Sequence, residues 1–89
     1  MQFEWDKTKA AKNLAKHGIE FAQALAVFSD PHHLTVDDSR HTAENRQNTT
    51  GCIDGAVFIV CHTNRAGVTR IISARHASRQ ERKKYHANH

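Results

Sequence analysis

The chain has 89 residues, 38% apolar and 25% charged, with a formal net charge of +4. That composition fits a single small globular domain spanning residues 1 to 89 with a thin core, and excludes a disordered chain. No apolar run approaches the ~20 residues that cross a bilayer, and Met1 to Asp6 lacks the charged-then-apolar texture of a signal peptide, so a cytoplasmic protein with no membrane contact is expected.

Phe3-Glu4-Trp5 alternates apolar and polar residues, as a short strand does. Asp6 is a good N-cap for a helix over Lys7 to His17, and Gly18 a good residue just past its end. Phe21, Leu25 and Phe28 recur at helical spacing, with alanines between them, and predict a second helix that ends at Ser29-Asp30-Pro31. After Pro31 the period becomes two. Leu34-Thr35-Val36 reads as a strand, Asp37 to Ala43 as a loop, and Arg46 to Ile53 as a weaker strand. Asp54-Gly55 is a strong hairpin signal. Ala56 to Cys61 is apolar on both faces, as in a central covered strand, and Val68 to Ala74 follows as another strand after the turn Asn64-Arg65-Ala66-Gly67. Ser78-Arg79-Gln80-Glu81 is a capping box opening a last helix, which is too short and polar to stand unless Tyr85 anchors it or a partner holds it. The predicted fold is α+β: a short strand, two helices, an antiparallel meander and a C-terminal helix.

Basic charge gathers at the end of the chain. Arg65, Arg70, Arg75, Arg79, Arg82, Lys83 and Lys84 follow Asn64 against one acid, Glu81. Such a surface raises the local concentration of polyanions. With a two-residue turn at Asp54-Gly55, residue 47 lies opposite 62 and residue 46 opposite 63. With the next turn centred on Arg65-Ala66, residue 62 lies opposite 69 and residue 61 opposite 70. Arg46, His62, Arg65 and Arg70 then meet at one end of the meander, Arg46 and Arg70 on one face and His62 on the other. Arg75 stands at the far end of its strand.

That cluster suits phosphodiester chemistry. Arginine holds phosphate oxygens through paired hydrogen bonds and stays charged, while histidine titrates near neutrality. A module that only binds nucleic acid or an acidic partner would have the same composition, and His62 is equally well read as a structural histidine. Glu44 is a candidate base or an ion-pair partner of Arg46. His17, beside Gly18, reads as a C-capping residue. Eight histidines and two cysteines raise the question of a metal, but no C-x-x-C or H-x-x-x-H spacing occurs, so neither a metal nor a cofactor is expected. Cys52 and Cys61 read as reduced thiols packed on strands.

Several stretches, in order from Phe3 to Tyr85, together resemble the BrnT family. They are Phe3-Glu4-Trp5-Asp6 with Lys9, Asn13, Lys16-His17-Gly18 and Phe21; Val27-Phe28-Ser29-Asp30-Pro31; Glu44-Asn45-Arg46; His62-Thr63-Asn64-Arg65; Arg70-Ile71-Ile72-Ser73-Ala74-Arg75-His76-Ala77; and Arg79, Glu81, Arg82 and Tyr85. The R-I-I-S-A-R stretch is the most specific. The resemblance implies a RelE-like fold and a metal-independent ribonuclease that arrests translation. It also implies a BrnA-type antitoxin with a DNA-binding ribbon-helix-helix domain, and with it a toxin–antitoxin hetero-oligomer. On that reading His62, Arg65, Arg70 and Glu44 carry the reaction, and Arg46, Arg75, Arg79, Arg82 and Lys16 bind RNA. Ala43, Gln47, Asn64 and His76 depart from the usual family residues, and a degenerate toxin that only binds is the alternative.

Overall fold

The computed structural model describes residues 1–38 and 45–88. Strand β1 (Gln2–Trp5) leads into helix α1 (Lys7–His17), a four-residue helix α2 (Phe21–Ala24) and a 3-10 turn (Leu25–Ser29). Strands β2 (Leu34–Asp37), β3 (Arg46–Ile53), β4 (Ala56–Arg65) and β5 (Val68–His76) and helix α3 (Arg79–Ala87) follow. The sheet order is β1-β5-β4-β3-β2. The fold is therefore α+β, as the sequence pattern predicts. Two details differ. The second helix is a single turn continued as 3-10, and β1 joins the sheet parallel to β5, where the rest is antiparallel.

Local chemistry sets the boundaries. Asp6 accepts hydrogen bonds from the backbone N–H of Thr8 (2.7 Å) and Lys9 (3.1 Å), and Gly18 ends α1 at φ 69°, a left-handed conformation open to glycine. Asn13, on α1, is buried. Its Nδ2 donates to the carbonyls of Ile19 (3.1 Å) and Ala74 (2.8 Å), and its Oδ1 accepts from the Ala74 N–H (3.0 Å). The pairing with β1 stops at Ile71, so the Asn13 amide serves the β5 backbone where a neighbouring strand would.

The sheet is packed on both faces. One side carries Ile19, Phe21, Ala24, Val27, Phe58, Val60, Ile71 and Ala74 beneath α1, α2 and the 3-10 turn. Gly51 makes this approach possible: a Cβ there would lie 2.8 Å from both the Cβ and the carbonyl oxygen of Val27. On the other side Val57, Ile59, Ala77 and Tyr85 cluster with Leu34 and Cys52. That second cluster fixes α3, whose only buried residue is Tyr85. The Tyr85 hydroxyl donates to Asp30, which also accepts from the N–H of Cys52 (2.8 Å) and His32 (3.0 Å). Ser78 and Glu81 form the expected capping box.

The register of the first hairpin is the expected one, with Gln47 opposite His62 and Arg46 opposite Thr63. The second is not. Arg65 pairs with Val68, which makes Ala66-Gly67 the two-residue turn, both residues at positive φ (51° and 82°) as a primed turn requires. A bulge follows at Cys61/His62, so His62 lies opposite Ile71 rather than Thr69, and Cys61 opposite Ser73 rather than Arg70. No helix among the described residues is long and apolar enough to cross a membrane.

Candidate nucleic-acid interface

Strand alternation sorts the polar residues of the meander onto two faces. The row Arg46–Thr63–Arg70–Glu4 runs across β3, β4, β5 and β1 on the face that carries α3. The next rows on that face are Asn48–Cys61–Ser73 and Thr50–Ile59–Arg75. Helix α3 covers only the Val57–Ile59 end. The remainder forms a polar depression of about 120 Å³, in which Arg46, Asn48, Ser73 and Arg75 surround Cys61 and Ile72. Beside it, between α3 and β2–β4, runs a groove of about 280 Å³.

Each arginine is held differently. Arg70 Nη1 donates to Glu4 Oε2 at 2.7 Å across the β1–β5 pair. Arg75 donates in a two-pronged manner to Glu81 on α3, at 2.7 and 3.0 Å. The Arg75 bonds, reinforced by those from Ser78 and opposed by burial, hold the Glu81 carboxyl at about 2. The same pairing pushes the Arg75 guanidinium above its ordinary value. Arg46 is half-buried beside Asp38 in the depression. Arg65 is exposed at the end of β4, next to the Ala66-Gly67 turn. Arg79 and Arg82 are exposed on α3, where Arg82 Nη1 donates to the Ala77 carbonyl at 3.2 Å.

Two of the expected participants stand apart from this face. His62 points to the helix side, at 5% exposure, with Nε2 2.7 Å from Thr49 Oγ1 and its ring edge-on to Phe28 at 5.1 Å between centroids. Burial pushes its pKa below the ordinary 6.5, so the ring is neutral at pH 7. Lys16 is exposed on α1, on the reverse side of the sheet. Glu44 lies outside the described residues. Asn13, Asp30 and Glu4 were not singled out for these contacts from sequence, because each works through a partner on another element.

Chemically, the face offers guanidinium groups along one side of a rigid sheet, with the Ser73 hydroxyl and the Asn48 amide between them. Such an array fits phosphate oxygens, which accept paired hydrogen bonds from arginine in fixed geometry. No group of three or more His, Cys, Asp or Glu suited to a metal occurs among the described residues. Cys52 and Cys61 are half-buried thiols that form no disulfide.

Comparison with curated proteins gives no match. The sequence matches the family described as ribonuclease toxin, BrnT, of type II toxin–antitoxin system, over residues 5–81. That stretch contains every strand of the meander, with Arg46, Arg65, Arg70 and Arg75. The chain therefore belongs to the BrnT family of ribonuclease toxins of type II toxin–antitoxin systems.

Proposed function

We propose that the protein is a cytoplasmic endoribonuclease that cleaves RNA without a metal and so inhibits translation. The 2′-hydroxyl attacks the adjacent phosphorus and the bond to the 5′-oxygen breaks. A 2′,3′-cyclic phosphate and a 5′-hydroxyl end form, and the proton lost by the 2′-oxygen is balanced by the one gained at the 5′-oxygen. The carrying observation is the row that sets Arg46 and Arg70 on one open sheet face, with Arg75 on the same face. Preorganised donors aimed at a pentavalent phosphate contribute about 3 kcal/mol each when the geometry is good. Arg46, Arg70 and Arg75 are the phosphate clamp, and Arg65, Arg79 and Arg82 extend it along the strand backbone. Glu44 is the proposed proton carrier. His62, buried behind the sheet, is a positioning residue that holds β3 to β4 through Thr49. Lys16, on the reverse side, is left out of the clamp.

The β-α-α-meander-α order supports a RelE-like arrangement, and the 89 residues act as one toxin domain. A BrnA-type ribbon-helix-helix antitoxin is the proposed partner, neutralising the toxin in a hetero-oligomer. The engagement of Arg70 by Glu4 and of Arg75 by Glu81 favours a second reading, a basic module that binds RNA or the antitoxin without cutting.

One experiment separates the two. Purified antitoxin-free protein is incubated with total RNA in EDTA, and separately with intact ribosomes in magnesium buffer, beside an Arg70→Ala variant. Cleavage by the wild type and not by the variant supports the ribonuclease reading. RNA binding without cleavage in either condition supports the binding module.

A further inference from the structure

The groove beside α3 is unlike the rest of the basic face. Leu34, Val36 and Ile59 give it apolar walls, and Val36 is 60% exposed, one of few large apolar side chains left in solvent. Asn48 and Thr50, neighbours but one on β3, line the same groove. Among the described residues the side chains of Asn48 and Thr50 make no hydrogen bond. Lys84 and Glu81 on α3 and Arg75 on β5 line its other side; Arg75 and Glu81 pair with each other, which leaves the Lys84 ammonium as the net positive charge there.

The groove is also continuous with the phosphate depression. Asn48, Ile59 and Arg75 line both, so they form the ridge between the two. At about 280 Å³ it falls just short of the sites of about 300–1,000 Å³ that enclose drug-sized molecules, which leaves room for one flat heterocycle. Apolar walls, an unused amide and hydroxyl, and the Lys84 ammonium at the rim fit a group with two apolar faces, a hydrogen-bonding edge and a phosphate attached. A nucleobase has that form.

We propose that the α3 groove is a nucleobase subsite, in which Asn48 and Thr50 read the edge of the base whose phosphate lies in the adjoining arginine depression. The proposal rests on the reading of this face as an RNA site, and gives that site its sequence preference. An amide carries a donor and an acceptor side by side and pairs with the complementary edge of a base, as asparagine does with adenine. The apolar walls hold any base, so discrimination falls to Asn48 and Thr50.

The test uses short 2′-O-methyl homopolymers of A, C, G and U, which cannot be cut by 2′-hydroxyl attack, titrated into the full chain. The wild type is expected to bind one of them about tenfold more tightly than the poorest. Asn48→Ala, and independently the near-isosteric Thr50→Val, are expected to bring the four affinities to within about twofold, with Lys16→Ala unchanged as a control on the reverse side. Equal affinities for all four in the wild type overturn the proposal, as does a preference that survives in both variants with their folds intact. Because these probes report binding alone, the absence of cleavage in the EDTA assay bears on the ribonuclease reading and leaves this measurement decisive for the subsite.

Discussion

At His62 the chemistry of a single residue is decided by which face of a strand it occupies. Thr63 faces the arginine row, so His62 faces Phe28 and the helices. Its bond to Thr49, which is itself 2.8 Å from Thr35 Oγ1, ties β2, β3 and β4 together. His62→Gln is expected to lower the melting temperature while leaving the shape of the cleavage pH profile unchanged. Loss of a titration near neutrality in that profile would instead make His62 a proton carrier. Glu4 gives the complementary case. Its pair with Arg70 is partly exposed, at 43% and 25%, and such pairs contribute about 0.2–1 kcal/mol. Glu4→Gln should therefore scarcely change stability. Releasing Arg70 for phosphate should raise RNA affinity by up to about fivefold, measured by titration at low salt. Strand alternation made the opposed faces of His62 and Arg70 readable from the sequence. The pairing of Arg70 with Glu4 was not readable, because the partners are 66 residues apart and meet only through the parallel β1–β5 pair.

Helix α3 shows how little need hold an element in place. Its nine residues bury one side chain, Tyr85, and it is docked by that ring, by the hydroxyl bond to Asp30 and by the pairing of Glu81 with Arg75 on β5. A hydrogen bond to a charged group contributes about 1.5–3 kcal/mol. Tyr85→Phe keeps the ring and deletes the bond. It should destabilise the protein by a value near the lower end of that range in urea titration, and speed tryptic cleavage at the basic residues of α3. An unchanged digestion rate would sink the view that Asp30 is the anchor. Gly51 is critical for the opposite reason: it leaves no space. Gly51→Ala pushes a methyl into the Val27 backbone, and crowding of this kind costs about 1–3 kcal/mol. A lowered urea midpoint with an unchanged slope would show it. The capping box, the Asp54-Gly55 hairpin and the role of Tyr85 were legible because each is local or fixed by residue type. The bulge at Cys61/His62 was not. Nothing in the run from Val68 to Ala74 marks an extra residue, and the choice between Arg65-Ala66 and Ala66-Gly67 as turn centre depends on which pair accepts positive φ. The second helix was overextended because its alanines and aromatics fit helical spacing, whereas the chain tightens at Leu25 to lay Val27 against Gly51.

For the molecule as a whole, charge governs both binding and stability. If RNA runs over the α3 face alone and contacts about three phosphates, the logarithm of affinity falls with the logarithm of salt with a slope of about −2. Arg70→Ala should make that slope shallower by about 0.7, and Lys16→Ala should leave it unchanged; a change at Lys16 would extend the interface around the sheet. Stability should respond to acid in two separate windows. His62 has a folded pKa below its ordinary 6.5, so the unfolded chain takes up the proton first. Stability is then full above about 6.5 and begins to fall as pH drops below it. The second window belongs to Asp30 and Glu81, both held at about 2. At Asp30 burial works upward and is outweighed by the bonds from Tyr85 and from the backbone of His32 and Cys52. At Glu81 the Arg75 bond dominates. Depressed carboxyls stabilise the fold above their unfolded values near 4, and that contribution is lost as pH falls from there toward 2. Melting temperature followed from pH 8 to pH 2 should therefore decline in two steps. His62→Gln should flatten the upper step only. Asp30→Asn should reduce the lower step and loosen α3, since Asp30 joins that helix to the turn before β2 and to β3. A single step that neither substitution alters would place the acid sensitivity in groups other than these.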